Sequence, residues 1–219
     1  MTIVILGDGD FPKAVYPLNL LNTADILICC DGSILKLLQY NKEKLPHYIV
    51  GDMDTLPPVY QEQYKERIRK SACQETNDQT KAFNFAKGLI PATENTSIHI
   101  LGATGMREDH TLGNISLLLD YAGSLPANAT VDIITDYGIF TPHFNTFTAP
   151  CTKGRQISIF SFDQTLKIKS AGLLYPTDHV IFDLWWKATL NESTESSYTL
   201  TFSHPAKVLV FENYPSTQQ

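Results

Sequence analysis

Arginine is scarce in this chain, with only Arg67, Arg69, Arg107 and Arg155 among 219 residues. Lys plus Arg number 17 against 23 Asp plus Glu, a formal charge of −6 that repels a phosphate backbone and argues against nucleic acid as a partner. Long apolar runs are absent too. The longest are pieces such as Ile3–Leu6 and Ile115–Leu119, whereas a helix crossing a bilayer takes about 20 consecutive apolar residues, so no membrane span is expected. Met1 to Asp8 has no basic stretch and its apolar run ends in Gly-Asp, which reads as a first strand rather than a secretion signal; the expected location is the cytoplasm. Cys29, Cys30, Cys73 and Cys151 form no CxxC pair, and the first two lie inside an apolar run, so they read as reduced structural thiols rather than zinc ligands. No GxxxxGK[ST] and no GxSxG occurs, and Pro12 stands where a dinucleotide loop beginning at Gly7 needs its third glycine. A P-loop kinase, a serine hydrolase and a NAD-dependent dehydrogenase are thereby disfavoured.

What is present is unevenly placed. Residues 1–140 hold 17 acids and 11 bases and residues 141–219 hold six of each, so the whole deficit belongs to the first part. The pattern changes near the same point. Strand-like runs at 2–7, 25–30, 47–50, 97–102 and 130–135 alternate with segments of helical period, such as Ala82, Phe85, Ala86, Leu89 and Leu112, Ile115, Leu118, Leu119, Ala122. This predicts an α/β domain over 1–137, an open, mostly parallel sheet with flanking helices. The segment Gln61 to Lys70 reads as a charged, solvated helix carrying Arg67 and Arg69. Beyond it, 138–141, 144–148, 156–162, 165–169, 179–184, 197–203 and 207–212 read as short strands between turn residues, predicting an all-β sandwich over 138–219. Pro215 to Gln219 reads as a frayed tail.

In open parallel sheets ligands bind beyond the carboxyl ends of the strands. The first strand ends in Gly7-Asp8-Gly9-Asp10, the second in Cys30-Asp31-Gly32-Ser33, the third in Gly51-Asp52-Met53-Asp54-Thr55 and the fourth in Gly102 to His110; Glu75-Thr76-Asn77-Asp78 precedes a helix. If strand geometry continues, Asp52 and Asp54 point the same way and make a hard-oxygen pair suited to Mg²⁺, with Asp78 or Glu75 as a third carboxylate. The plainer alternative is that Asp and Gly are good turn formers and that Asp78 caps its helix. Several carboxylates in one crevice repel unless a cation joins them. Gly102 to Asp109 reads as a phosphate-binding turn, with two glycines, a following helix N-terminus and the guanidinium of Arg107. His110 reads as a capping or supporting residue, with a general base as the alternative.

Taken in order, Cys30-Asp31-Gly32-Ser33, Gly51-Asp52-Met53-Asp54-Thr55, Glu75 to Lys81 and Gly102 to His110 resemble the motifs of the thiamine pyrophosphokinase (thiamine diphosphokinase) family. The resemblance implies transfer of the diphosphoryl group of ATP to the hydroxyl of thiamine, giving thiamine diphosphate and AMP, with Mg²⁺ as cofactor. It implies a homodimer with thiamine between the α/β domain of one subunit and the β domain of the other. Carried over by position, the catalytic set is Asp52, Asp54, Asp78, Arg107 and Asp109, and the metal set is Asp52, Asp54, Asp78 and Glu75. ATP would be bound by Asp31, Gly32, Asp52, Thr104, Gly105 and Arg107. Gly172 to Pro176 and Leu190-Asn191-Glu192 resemble the family's thiamine-binding stretches, which implies Tyr175, Asn191 and a covering tryptophan, Trp186 in preference to Trp185; since neighbours on a strand face opposite sides, the other one is expected in the core. The departures are Ser33 and Met106 at glycine positions, Glu75 where an Asp is usual, and Leu190 at a serine position, so the acceptor end matches less well than the ATP end.

Overall fold

The computed structural model describes residues 1–71, 73 and 75–214, so the expected tail, 215–219, lies outside the described residues. The chain divides into two compact units, Met1–Asp136 and Tyr137–Gln219.

The first unit is built on six parallel strands: β1 (Thr2–Leu6), β2 (Ile26–Cys30), β3 (Tyr48–Gly51), β4 (Ile68–Lys70), β5 (Thr96–Leu101) and β6 (Ala129–Ile134). Their order across the sheet is β6-β5-β1-β2-β3-β4. Ile3, Val4, Ile5 and Leu6 are fully buried, as are Ile28 and Cys29, which is why these strands read as unbroken apolar runs: helices cover both faces. The helices are α1 (Val15–Thr23), α2 (Ser33–Tyr40), α3 (Pro58–Gln63), α4 (Asp78–Lys87) and α5 (Glu108–Ser124). From β1 the chain steps outward through β2, β3 and β4, then returns through α4 to β5 on the other side of β1. The order therefore reverses between β1 and β5, where a crevice opens at the carboxyl ends.

Three local expectations are corrected. Gln61 to Lys70 is not one helix: α3 ends at Gln63, a 3₁₀ turn spans Lys65–Arg67, and β4 pairs in parallel with β3 through Ile68, Arg69 and Lys70. Arg67 and Arg69 are fixed there, the first donating to the carbonyl of Pro46 (2.7 Å) and the second lying 5.0 Å over the Tyr48 ring. The cap of α4 is Asn77, whose side chain accepts from Thr80 N at 2.9 Å, and Asp78 is the first helical residue. On α5, Leu118, Leu119 and Tyr121 are buried, but Leu112 is 59% exposed, so the apolar face begins a turn later than the spacing suggests.

The second unit packs two antiparallel sheets face to face. One has the order β11-β9-β13-β7 and the other β10-β12-β8, formed by β7 (Gly138–His143), β8 (Phe147–Pro150), β9 (Gln156–Ser161), β10 (Ile168–Ala171), β11 (Ala188–Glu192), β12 (Ser197–Phe202) and β13 (Val208–Asn213). Alternate residues of β9, β12 and β13 (Ile157 and Ile159, Tyr198 and Leu200, Val208 and Val210) fill the space between the sheets, the sandwich pattern. No strand forms over 179–184. Trp185 and Trp186 lie in a turn before β11, both about half exposed, so neither is the core residue expected of a strand pair.

His143, at the end of β7, stacks on Phe147 with ring centroids 3.5 Å apart, and burial pulls its imidazole down to about 4. Lowered this way, the folded state resists the proton: the stabilisation is complete above the ordinary value of about 6.5 and is lost as pH falls from there through 4. Thermal melts between pH 7 and 4.5 are expected to show a steeper loss of Tm in wild type than in His143→Phe, which keeps the stack and removes the titration. None of the described helices is long and apolar enough to cross a membrane.

Candidate active site

A cavity of about 380 Å³ opens at the carboxyl ends of β1, β2, β3 and β5, lined among others by Asp31, Asp52, Asp78, Lys81, Gly105 and Arg107. It is formed by residues that leave their strands sharply. Asp31 follows β2 with φ 35°, Met53 follows Asp52 with φ 67°, and Met106 stands in the loop after β5 with φ 60°. These are left-handed values that side chains other than Gly rarely adopt, and backbone strain of this kind gathers where geometry serves a site.

Asp31, Asp52 and Asp78 each offer a carboxylate oxygen within 4.8 Å of the others. Gly51 permits this closeness, since a Cβ there would lie 2.9 Å from Asp31 Cβ and 3.2 Å from Asp78 Oδ1. Lys81 stands among them from α4, its side chain only 4% exposed, donating to Asp52 Oδ2 at 2.8 Å and to Asp78 Oδ1 at 2.9 Å. Burial pulls the Lys81 ammonium down, but its hydrogen bonds to Asp52 and Asp78 outweigh this and hold it above its ordinary value. The same hydrogen bond from Lys81 holds the Asp52 carboxyl below its usual range. Burial pushes Asp31 up, and its Oδ1 is buried with no partner, although Oδ2 accepts from Thr55 N (3.3 Å). One ammonium does not neutralise three carboxylates. Hard oxygens grouped so closely could hold a metal ion.

Asp54 lies outside the trio that shares this 4.8 Å, but its carboxyl interacts with those of both Asp31 and Asp52. The left-handed turn at Met53 ends the strand alternation, and Asp54 is exposed, with its N–H donating to Asp52 Oδ1 at 3.3 Å. Asp31, from the neighbouring strand, completes the trio with Asp52 and Asp78. Glu75 is exposed, and neither it nor Gly32, Thr104 or Asp109 is among the described residues lining the cavity. Gly32 N donates to Thr55 Oγ1 (3.1 Å), bracing the loop that carries Asp31. Arg107 forms a two-pronged pair with Asp109, Nε to Oδ1 at 3.1 Å and Nη2 to Oδ2 at 2.6 Å, which holds the exposed Asp109 carboxyl down at about 2. His110 lines the cavity at the start of α5. Ser33 is buried and donates to the carbonyl of Leu6 (2.8 Å), so its hydroxyl ties α2 to β1 and does not face the cavity.

Two cations had no role assigned from sequence. Lys81 is three residues after Asp78, a spacing that puts both on one helix face and could have been read. Lys36, on α2, grips the loop after β1 through the carbonyls of Asp8 (2.6 Å) and Gly9 (2.8 Å) and the Asp8 carboxylate (2.8 Å); no local pattern announces this.

In the second unit Tyr175 and Trp186 present exposed rings, while Trp185 packs against Phe160 and Phe162 at centroid distances of 5.4 and 5.7 Å. Asn191 is buried, and its amide brackets Tyr175: Nδ2 donates to the Tyr175 carbonyl (2.6 Å), and Oδ1 accepts from the N–H of Tyr175 (3.1 Å) and of Glu192 (2.9 Å). Its polar atoms are used in shaping the loop. Leu190 beside it is 80% exposed with φ 59°, where β11 shifts register against β9.

Residues 18–129 match the family model described as thiamin pyrophosphokinase, catalytic domain, and residues 138–211 match thiamin pyrophosphokinase, substrate-binding domain. Thiamine pyrophosphokinase 1 of Oryza sativa subsp. japonica is 30% identical over 118 residues, 45% of this chain and 45% of that protein, so the match spans about half the length of this rice relative. Among solved structures, thiamin pyrophosphokinase from Geobacillus thermodenitrificans superposes with a TM-score of 0.75 at 24% identity, covering 100% of both chains. Yeast thiamin pyrophosphokinase gives 0.80 at 15% identity over 97% of this chain and 86% of the other. At such identities these two superpositions speak for the fold. The family models cover both units, and with the strand-end motifs in their cavity the chain belongs to the thiamin pyrophosphokinase family.

Proposed function

We propose that the chain is a thiamine diphosphokinase that transfers the diphosphoryl group of ATP to the hydroxyl of thiamine, releasing thiamine diphosphate and AMP. The observation that carries this reading is the convergence of Asp31, Asp52 and Asp78 around Lys81 in a cavity that Arg107 also lines. Family membership and the similarity to thiamine pyrophosphokinase 1 of rice support it.

In this reading Asp31, Asp52 and Asp78 hold Mg²⁺, with Asp54 next to them. When bound, the ion offsets the charge of the polyphosphate and polarises the phosphoryl group under attack. The chain does the positioning. Lys81 keeps Asp52 and Asp78 in place and adds a positive charge. Arg107, oriented by Asp109, meets the phosphates together with the backbone of Thr104 and Gly105, and Gly32 braces the Asp31 loop on the other side. One carboxylate takes the proton of the thiamine hydroxyl as its oxygen attacks. Tyr175 and Trp186 offer flat surfaces to the aromatic part of thiamine, and Asn191 sets the Tyr175 loop. Asn191→Ala is therefore expected to raise the KM for thiamine about tenfold, the loss of roughly one good hydrogen bond, with the KM for ATP within about twofold, as read from initial rates.

The same reading makes the protein a cytoplasmic homodimer. The exposed Tyr175, Ile181, Trp185, Trp186 and Leu190 supply apolar surface for a second copy, and the four cysteines are free thiols. The test of function is AMP release from ATP and Mg²⁺. The expected result is release that requires thiamine and stops when the metal is chelated. Release with a different alcohol and none with thiamine overturns the acceptor assignment.

A further inference from the structure

Gln79, the second residue of α4, is 5% exposed and lines the cavity next to Asp78, yet neither its Oε1 nor its Nε2 has a hydrogen-bond partner. A buried amide left unpaired destabilises the fold, and an apolar side chain of the same length would avoid that cost. The neighbouring polar groups do not relieve it. The Tyr121 hydroxyl interacts with the amide but falls outside hydrogen-bond geometry, and its short bond, 2.6 Å, is to Thr80 Oγ1. Lys81 is taken by Asp52 and Asp78, and Asn77 by Thr80 and Asn114. A neutral group that both donates and accepts, at a helix N-terminus beside three carboxylates, matches a ligand presenting acceptor oxygens and donor water together. A hydrated divalent cation carrying a diphosphate presents both, because Mg²⁺ keeps several of its waters.

We propose that the Gln79 amide is a substrate contact, its Oε1 accepting from water on the cation and its Nε2 donating to an oxygen of the diphosphate. The proposal rests on the functional reading above. It also assigns the unpaired state a purpose: the amide is unsatisfied in the free protein and satisfied in the complex.

The test compares wild type, Gln79→Met and Tyr121→Phe by thermal melting without ligand and by calorimetric titration with two probes, magnesium pyrophosphate and the magnesium complex of a non-hydrolysable ATP analogue. Gln79→Met is expected to melt at the same temperature as wild type or higher, and to bind both probes at least tenfold more weakly. Tyr121→Phe is expected to bind both within about twofold of wild type. A Gln79→Met protein that melts lower and binds like wild type makes the amide structural and overturns the proposal. Loss of affinity for the ATP analogue alone moves the contact to the nucleoside and overturns the diphosphate assignment, and a Tyr121→Phe protein as weak as Gln79→Met assigns the effect to the hydroxyl. If wild type binds neither probe, the functional reading fails and the proposal with it, whereas wild-type binding that Gln79→Met leaves unchanged overturns the proposal alone.

Discussion

Asp52→Asn is expected to lower kcat for diphosphoryl transfer by about 10²–10³-fold, the usual cost of removing one preorganised charge from a phosphoryl or oxyanion site. The substitution keeps size and hydrogen-bonding shape but takes one of three converging carboxylates out of the cluster and weakens the bond to Lys81, 2.8 Å in the native protein. Its Mn²⁺ affinity, followed by electron paramagnetic resonance without nucleotide, should fall with the rate, whereas the Tm should fall only modestly because the Lys81 ammonium keeps its pair with Asp78. Glu75→Gln provides the contrast. Glu75 is exposed and outside the cavity lining, so its rate is expected to stay within about twofold of wild type. A large loss in Glu75→Gln with none in Asp52→Asn would reverse the assignment of the cation ligands.

Lys81→Met is expected to be the most destabilising change at the site, by about 2–4 kcal/mol, because it removes the counter-charge of carboxylates around a nearly dry ammonium. For a chain of this length that lowers Tm by roughly 5–15 °C. The pH dependence identifies the cause. In wild type the Asp52 carboxyl is held below its unfolded value, so its contribution is complete above about pH 4 and is lost as pH falls through the lower folded value. Without Lys81 that contribution disappears, and the deficit of the variant should be greatest at neutral pH and shrink in acid. Added Mg²⁺ should restore part of the lost Tm by supplying the missing positive charge, more in the variant than in wild type. Equal deficits at pH 4 and pH 7, with no response to Mg²⁺, would point to lost packing of the lysine stem instead.

The sheet and the position of the crevice were legible because parallel strands buried on both faces leave short, unbroken apolar runs, and because ligand-facing residues follow those runs directly. The membership of the acidic cluster was legible only in part. Asp52 and Asp78 lie in the cluster, but the nearness of Asp31 depends on left-handed backbone at Met53 and Asp31, and at Met53 side-chain preference argues against it. Local pattern also failed at β4, three residues paired only to β3 amid charged neighbours, and at Trp185-Trp186, whose β-forming composition is spent in a turn. Gln79 had no signal at all. A glutamine in a helix is ordinary, and only the absence of partners for its buried amide distinguishes it.

The central claim, that this cavity passes a diphosphoryl unit from ATP to thiamine, is tested most directly by product analysis from ATP labelled in its β and γ phosphates. The account predicts AMP and thiamine diphosphate in equal amounts, with both labels in the thiamine product. ADP together with thiamine carrying the γ label alone would contradict it.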